Sequence, residues 1–228
     1  MRTRTRTTTL AAVCSLLAAS ACQRGEDSRP TVETAMSPGA TAEDRPSSIA
    51  TDAEWQARFD TIRMTFTRDT AAAAQALRSA ATTARREADE ANDSARAALA
   101  RSADEMDSLA AGVSRGARRS QQSLDSAFAR LAHAEALNRL AAASDAWGKE
   151  QHARAGEDLE AAADLLERSA KDAGVKLDAV ATKAAADARA LNGRLRESAQ
   201  VTADEFRKSA ADLDAELRKL GDRIARKS

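Results

Sequence analysis

Residues 51–228 predict an all-α fold, an elongated antiparallel helical bundle or coiled coil of three or four long, Ala-rich helices. Three observations lead to this prediction. The 178 residues contain no proline, the residue least compatible with a helix interior. Alanine, which has the highest helix propensity, occupies 49 of these positions. The larger apolar residues recur about every 3.6 residues, which is the period of an α-helix.

The first predicted helix covers residues 52–112. Thr51 is a suitable N-cap, because a threonine hydroxyl can accept a hydrogen bond from a free backbone N–H of the first turn. Two stripes of apolar side chains follow, which are Trp55, Phe59, Ile62 and Phe66, and then Leu77, Ala81, Ala84, Ala88, Ala91, Ala95, Ala98, Ser102, Met106, Leu109 and Val113. The narrow second stripe predicts that a neighbouring helix approaches closely.

The second predicted helix covers residues 117–147 and lies between glycines, which often end helices. Gly112 and Gly116 precede it, and Gly148 begins a turn towards a helix that opens near Gln151. It carries the densest apolar stripe of the chain, formed by Leu124, Phe128, Leu131, Leu137, Leu140 and Trp147.

The remaining residues, 151–226, predict a third helix that is split near Gly174, with Gly193 as a second bend. One apolar stripe runs from Leu159 to Ile224 and takes in Val180 and Thr202 as inward-facing positions. The opposite face alternates positive and negative charges at i,i+4 spacing, which predicts a solvated outer surface.

The N-terminus has the pattern of a bacterial export signal, predicted to cover residues 1–21. Arg2, Arg4 and Arg6 form a positive segment, and residues 10–21 form an apolar run that is shorter than the roughly 20 residues of a membrane-spanning helix. Small residues end the run at Ala19 and Ala21, directly before a cysteine. Ordinary secretory cleavage and lipoprotein processing would both cut before this cysteine.

The small residues that end at Cys22 resemble the lipobox of bacterial lipoproteins. The resemblance implies that Cys22 becomes the first residue of the mature chain and carries a lipid, so that the membrane is a partner. Cys14 would leave with the signal, and one remaining thiol cannot close an internal disulfide. In enteric lipoproteins an Asp after the cysteine signals inner-membrane retention. Gln23 at this position therefore implies the outer membrane, with the protein facing the periplasm.

Residues 22–50 predict a disordered linker behind the lipidated cysteine. All three prolines of the chain, Pro30, Pro38 and Pro46, lie in it among small and charged residues. Such a segment buries too little apolar surface to offset the entropy of ordering it. The predicted organisation is therefore a signal peptide, a tether and a helical domain at residues 51–228.

Charge and motifs exclude several classes of function. The chain holds 35 basic and 35 acidic residues, whereas a nucleic-acid-binding protein is expected to be clearly basic. His133 and His152 are 19 residues apart and belong to no metal-binding motif, and no catalytic or cofactor-binding motif is present. The sequence thus predicts no nucleic-acid partner, no metal or cofactor and no enzymatic activity.

Three hypotheses for function remain. The first is a structural or protein-interaction lipoprotein of the envelope that packs against itself or a protein partner. Its lipidated cysteine, Ala-rich helices and basic C-terminal end are broadly similar to murein lipoprotein. The second is a periplasmic carrier or sensor that binds an apolar or envelope ligand between helices. Its candidate ligand contacts, which are equally candidates for the core, are Trp55, Phe59, Phe66, Phe128, Trp147 and Phe206. The third resembles Ala-rich stress-protective proteins, whose helices form only on drying or on a surface.

Overall fold

A computed structural model describes residues 52–115, 121–197 and 200–227, all of which belong to one compact unit. The predicted signal, Cys22, the linker and the Thr51 cap lie outside the described residues. Throughout the described part, all regular secondary structure is helical, so the all-α prediction is confirmed. None of these helices combines the length and the apolar character that crossing a bilayer requires.

Seven helices form in the described residues, where three or four long ones were predicted. They are α1 (Asp52–Thr65), α2 (Thr70–Glu90), α3 (Asp93–Ser114), α4 (Gln121–Gly148), α5 (His152–Asp172), α6 (Ala179–Arg196) and α7 (Ala203–Lys227).

The prediction of one helix over residues 52–112 is wrong, because side chains inside that range cap new helices. Asp69 accepts a 2.9 Å hydrogen bond from the backbone N–H of Ala72 at the start of α2. Asn92 accepts one of 3.0 Å from Ala95 at the start of α3. Short Asp and Asn side chains compete with the helical backbone for such hydrogen bonds. Asp69 and Asn92 therefore interrupt a run of alanine-rich sequence that otherwise predicts one continuous helix.

The predicted turns at Gly148 and Gly174 are confirmed. Helix α4 ends at Gly148, and Gln151 precedes α5. Gly174 has a φ of +60°, a left-handed conformation that glycine adopts without steric cost. Gly193 lies inside the last turn of α6, which ends at Arg196, so the break in this region falls a few residues after the predicted bend.

Two positions of the predicted C-terminal stripe point away from the core. Val180 is 61% exposed, because the non-helical residues 175–178 reset the helical phase before α6. Thr202 is exposed at the start of α7, where it exchanges hydrogen bonds with Glu205. This exchange is the capping-box arrangement, which satisfies backbone donors that the first turn leaves free.

Helix α4 lies at the centre of the packing. It contacts α3, α5 and α7, while α5 contacts α6 and α6 contacts α7, so that the last four helices enclose a common interior. Helix α1 contacts α2 and α5, and α2 packs along α3. The largest fully buried side chains are Trp55, Phe59, Ile62, Leu77, Leu99, Met106, Leu124, Phe128, Leu131, Leu159, Leu165 and Leu166.

Candidate functional site

The predicted aromatic residues fall into separate groups. In the first, the rings of Phe59 and Phe128 stack with centroids 4.3 Å apart, and Trp55 lies 5.7 Å from Phe59. All three side chains are fully buried. Their contacts join α1 to α4, and the rings pack against one another as part of the core.

The second group lies near the other end of α4. The rings of Trp147 and Phe206 stack with centroids 4.3 Å apart, and His152 lies 4.5 Å from the half-buried Trp147. Phe128 and Trp147 are 19 residues apart on α4, which separates them by about 28 Å along the helix. Phe66 is buried at the end of α1. The six aromatic residues therefore do not converge on a single pocket.

Two arginines cover the stacked pair in the first group. The guanidinium carbon of Arg63 lies 4.8 Å from the Phe128 ring centre, and that of Arg168 lies 4.9 Å from the Phe59 ring centre. Both arginines face Asp172, with distances of 2.7 Å to Arg63 Nη2 and 3.7 Å to Arg168 Nε. Cation–π contacts of this kind contribute about 0.5–2 kcal/mol. The cluster attaches α1 to α4 and α5.

Burial raises the pKa of Asp172 above its usual value, although the two arginines act in the opposite direction. The carboxylate oxygen Oδ2 has no hydrogen-bond partner. Removing the carboxylate from water thus has a larger effect than the attraction of its neighbours.

A buried polar cluster lies between α2, α4 and α5, and sequence analysis missed it. Its members are Glu87, Glu135, Asn138, Arg139 and Asp158, each less than 10% exposed. Arg139 Nη1 donates a 2.7 Å hydrogen bond to Asp158 Oδ1. A signal for two members was present in the sequence, because Leu124, Leu131, Glu135 and Asn138 follow helical spacing along one face of α4.

Glu135 is the most perturbed acid of this cluster. Burial raises its pKa well above the usual value, and the neighbouring Glu87 carboxyl group raises it further. Arg139 and Asn138 lower the pKa, but by less. Glu135 consequently holds its proton over a pH range in which an exposed glutamate has lost it, and a protonated carboxyl can donate to Glu87.

A cavity of about 610 Å³ opens to solvent beside this cluster. Its walls are Glu87, Glu90, Ala91, Asn92, Asn138, Ala141, Ala142, Asp145, Ala146, Lys149, Gln151 and Arg154. The walls carry acidic, basic and uncharged polar side chains. None of the six aromatic residues lines this cavity. In the described part of the chain, no three His, Cys, Asp or Glu side chains are grouped to hold a metal ion. The lining of the cavity is therefore polar and charged.

The sequence has no significant match among protein-family models, curated proteins or solved structures. The function of the protein must therefore be inferred from its own residues.

Proposed function

We propose that this protein is a lipid-anchored protein of the bacterial cell envelope with a structural or protein-interaction role. The sequence at Cys22 carries the proposal. It combines a positive N-terminus, a short apolar run and small residues directly before a cysteine. Cys22 would be the single thiol of the mature chain and could not form an internal disulfide, so lipidation accounts for its presence.

The linker and the helical domain fit this role. Residues 23–50 would form a flexible tether with a root-mean-square span of roughly 30 Å, which lets the helices stand away from the bilayer. In the described part of the chain, Met64 and Val180 are the large apolar side chains that are most exposed. Charged residues cover much of the remaining helical surface.

The finer architecture that we propose is an elongated antiparallel bundle. Two residues, 91–92, join α2 to α3, and three residues, 149–151, join α4 to α5. Connections this short favour antiparallel neighbours. Small-angle X-ray scattering would test the elongation, and a radius of gyration equal to that of a spherical protein of this mass would contradict it.

A structural role has more support than a carrier of apolar ligands. Five of the six aromatic side chains proposed for ligand contacts lie against another aromatic ring of the protein, and the sixth, Phe66, is buried in the core. In the described part of the chain, four surface cavities are lined by residues other than these aromatic ones.

Intact mass of the membrane-extracted protein tests the anchor. We expect the wild-type protein to begin at Cys22 and to carry acyl mass, and we expect Cys22→Ala to leave the membrane fraction. More than one acyl chain is expected, because a single chain gives only marginal membrane binding. An unmodified Cys22 in the soluble fraction would contradict the proposal.

A further inference from the structure

His133 on α4 forms a hydrogen bond that joins α7 to the centre of the bundle. Its ring nitrogen Nε2 lies 2.9 Å from the backbone carbonyl oxygen of Leu217. A carbonyl oxygen can only accept a hydrogen bond, so Nε2 carries the proton and donates it. A neutral imidazole has a single N–H, so Nδ1 gains a proton only when the ring becomes charged. The contact thus selects one neutral tautomer of His133.

Gly221 brings the backbone of α7 close to this ring. A Cβ atom at position 221 would lie 2.9 Å from His133 Nε2, which is closer than Cβ atoms approach other atoms in folded proteins. Leu217, whose carbonyl accepts the hydrogen bond, lies one turn before Gly221 and therefore on the same face of α7. The absence of a side chain at Gly221 leaves the space that the imidazole ring occupies.

On α3, α4 and α7, the charged side chains close to this contact in helical position are paired with one another. Arg130 lies one turn before the histidine on α4 and donates to Glu105 of α3, with 2.6 Å between Nε and Oε2. Asp214 and Arg218, which lie on either side of the acceptor residue on α7, pair at 2.8 Å. Both carboxylates therefore already have a basic partner.

The charged groups of the other neighbouring elements are paired or solvated. On α5, Asp164 and Glu167 share Arg189 of α6 as their basic partner. On α7, Asp222 follows the glycine and is exposed to solvent, which screens its charge. A positive charge on the imidazole would accordingly gain little from these neighbours.

Burial lowers the pKa of His133 below the ordinary histidine value, and the hydrogen bond to the Leu217 carbonyl raises it by less. Between this lowered pKa and the unfolded value of about 6.5, a detached histidine binds more protons than the docked one. The contribution of His133 to docking is therefore complete above about pH 6.5 and is lost as the pH falls through the folded pKa.

Helix α7 is held on the bundle at two places. Near its start, Phe206 stacks on Trp147 of α4, and neither side chain ionises in this pH range. Its second half is held by the contact with His133 and by buried apolar side chains, which are Leu217, Leu220 and Ile224. Arg223 and Lys227 add exposed hydrogen bonds to carbonyls that follow α5, and water competes with such bonds. The second half of α7 is thus the part whose attachment depends on a titratable group.

We propose that His133 is a pH-sensitive latch for the C-terminal half of α7: the neutral ring holds this half on α4, and protonation weakens the attachment. Release exposes the apolar face of the helix, which includes Leu217, Leu220 and Ile224. The latch goes beyond the proposed anchoring role, and its test does not depend on Cys22.

Hydrogen exchange measured by mass spectrometry tests the latch in the purified protein. Protection of the backbone amides is compared at about pH 7.5 and about pH 5, after correction for the intrinsic exchange rate at each pH. In the wild type, residues 213–227 should lose protection at least about threefold at the lower pH, because each unit of pKa difference changes the docking equilibrium tenfold. The amides of α2 and α3 should lose less.

The chain has two histidines, which provides a matched pair of variants. His133→Gln retains an amide donor for the Leu217 carbonyl but cannot become charged, so the additional loss of protection in α7 should disappear. His152→Gln replaces the exposed histidine and should behave as the wild type does.

Gly221→Ala tests the geometry directly. The added methyl group should push the ring away from α7, so an NMR titration should give His133 a higher pKa in this variant than in the wild type. This comparison also decides the question if His133→Gln does not fold, which circular dichroism at about pH 7.5 establishes.

Three results would overturn the proposal. The first is an equal loss of protection in α7 and in α2 and α3 of the wild type, which would indicate global unfolding. The second is the same α7-specific loss in a folded His133→Gln variant. The third is a pKa of His133 that Gly221→Ala leaves unchanged.

Discussion

Arg139 on α4 and Asp158 on α5 form an ion pair inside the protein, with 2.7 Å between Nη1 and Oδ1 and side chains that are 9% and 6% exposed. A buried pair gains Coulomb energy but loses hydration of both charges, so it contributes little net stability. It does penalise any packing of α4 on α5 that separates the two groups. We therefore interpret the pair as fixing the register of these two helices.

Removing one partner of this pair should strongly destabilise the fold. Asp158→Leu removes the buried carboxylate that accepts from Arg139 Nη1, and we expect a loss of about 3–5 kcal/mol in the free energy of unfolding. Urea unfolding followed by circular dichroism measures this loss. Asp187→Asn, which breaks an exposed pair with Lys183, is the control and should change the free energy by less than about 1 kcal/mol.

The double variant Arg139→Met with Asp158→Leu distinguishes a role of the pair in helix register from a contribution to the free energy of unfolding. It should recover most of the loss seen in Asp158→Leu alone, because two apolar side chains can replace the pair. Equal stability of the single variant and the wild type would contradict the proposed importance of the pair.

Gly156 should be intolerant of even a methyl group. A Cβ at this position in α5 would lie 2.6 Å from Asn192 Oδ1 and 3.2 Å from the Asn192 Cα atom on α6. Gly156→Ala is therefore expected to lower the melting temperature, although alanine is the better helix former. A side-chain rotation can move Oδ1, but the contact with Cα is relieved only if the backbone of α6 shifts by a few tenths of an ångström.

Gly193→Ala is the matched control, because nothing lies within 4 Å of a Cβ at that position of α6. It should stabilise the protein by up to about 1 kcal/mol through helix propensity. Similar melting temperatures for the two variants would contradict the close packing of α5 on α6.

Glu135 should make the fold less stable as pH rises. An unfolded glutamate has a pKa of about 4.3, whereas burial and Glu87 raise the pKa of Glu135 in the folded protein. Between these two values the folded state binds more protons than the unfolded state. The stabilising contribution is therefore complete below the unfolded pKa and is lost as pH rises through the folded pKa.

Glu135→Gln isolates this effect from other acids. Asp178 and Glu205 have lowered pKa values and act in the opposite direction, so the comparison must be between variants. The stability advantage of the variant over wild type should grow from about pH 4 towards pH 8. Glu157→Gln should give a difference that is nearly independent of pH, and a constant difference for Glu135→Gln would contradict the raised pKa.

Thr202 should stabilise the start of α7. The backbone N–H of Glu205 donates a 3.2 Å hydrogen bond to Thr202 Oγ1, while Glu205 Oε2 accepts one of 2.8 Å from the backbone N–H of Thr202. Thr202→Ala should cost about 1 kcal/mol in the free energy of unfolding. Thr82→Ala, at an exposed position inside α2, should be neutral or slightly stabilising, and a similar loss there would argue against a cap effect.

The sequence could not predict which polar residues are buried. The helical spacing of Glu135 and Asn138 with Leu131 placed them on an apolar face, but a charged residue at such a position is normally exposed. Arg139 lies one turn along α4 from Glu135, so helical spacing alone places it there, but only the folded chain brings Glu87 of α2 beside Glu135. The aromatic residues were visible in the sequence, but their division into two groups was not.

The sequence by itself determined the all-α class and the helix ends near Gly148 and Gly174, because helix propensity and proline exclusion act within a few residues. The left-handed conformation of Gly174 is equally local, whereas after α4 it is Glu150 that adopts a positive φ. The caps Asp69 and Asn92, which separate α1, α2 and α3, are also local, although the alanine pattern obscured them. Only the tertiary structure decided which polar side chains are buried and that Asn138 lines a cavity, because burial is set by helices that are distant in sequence.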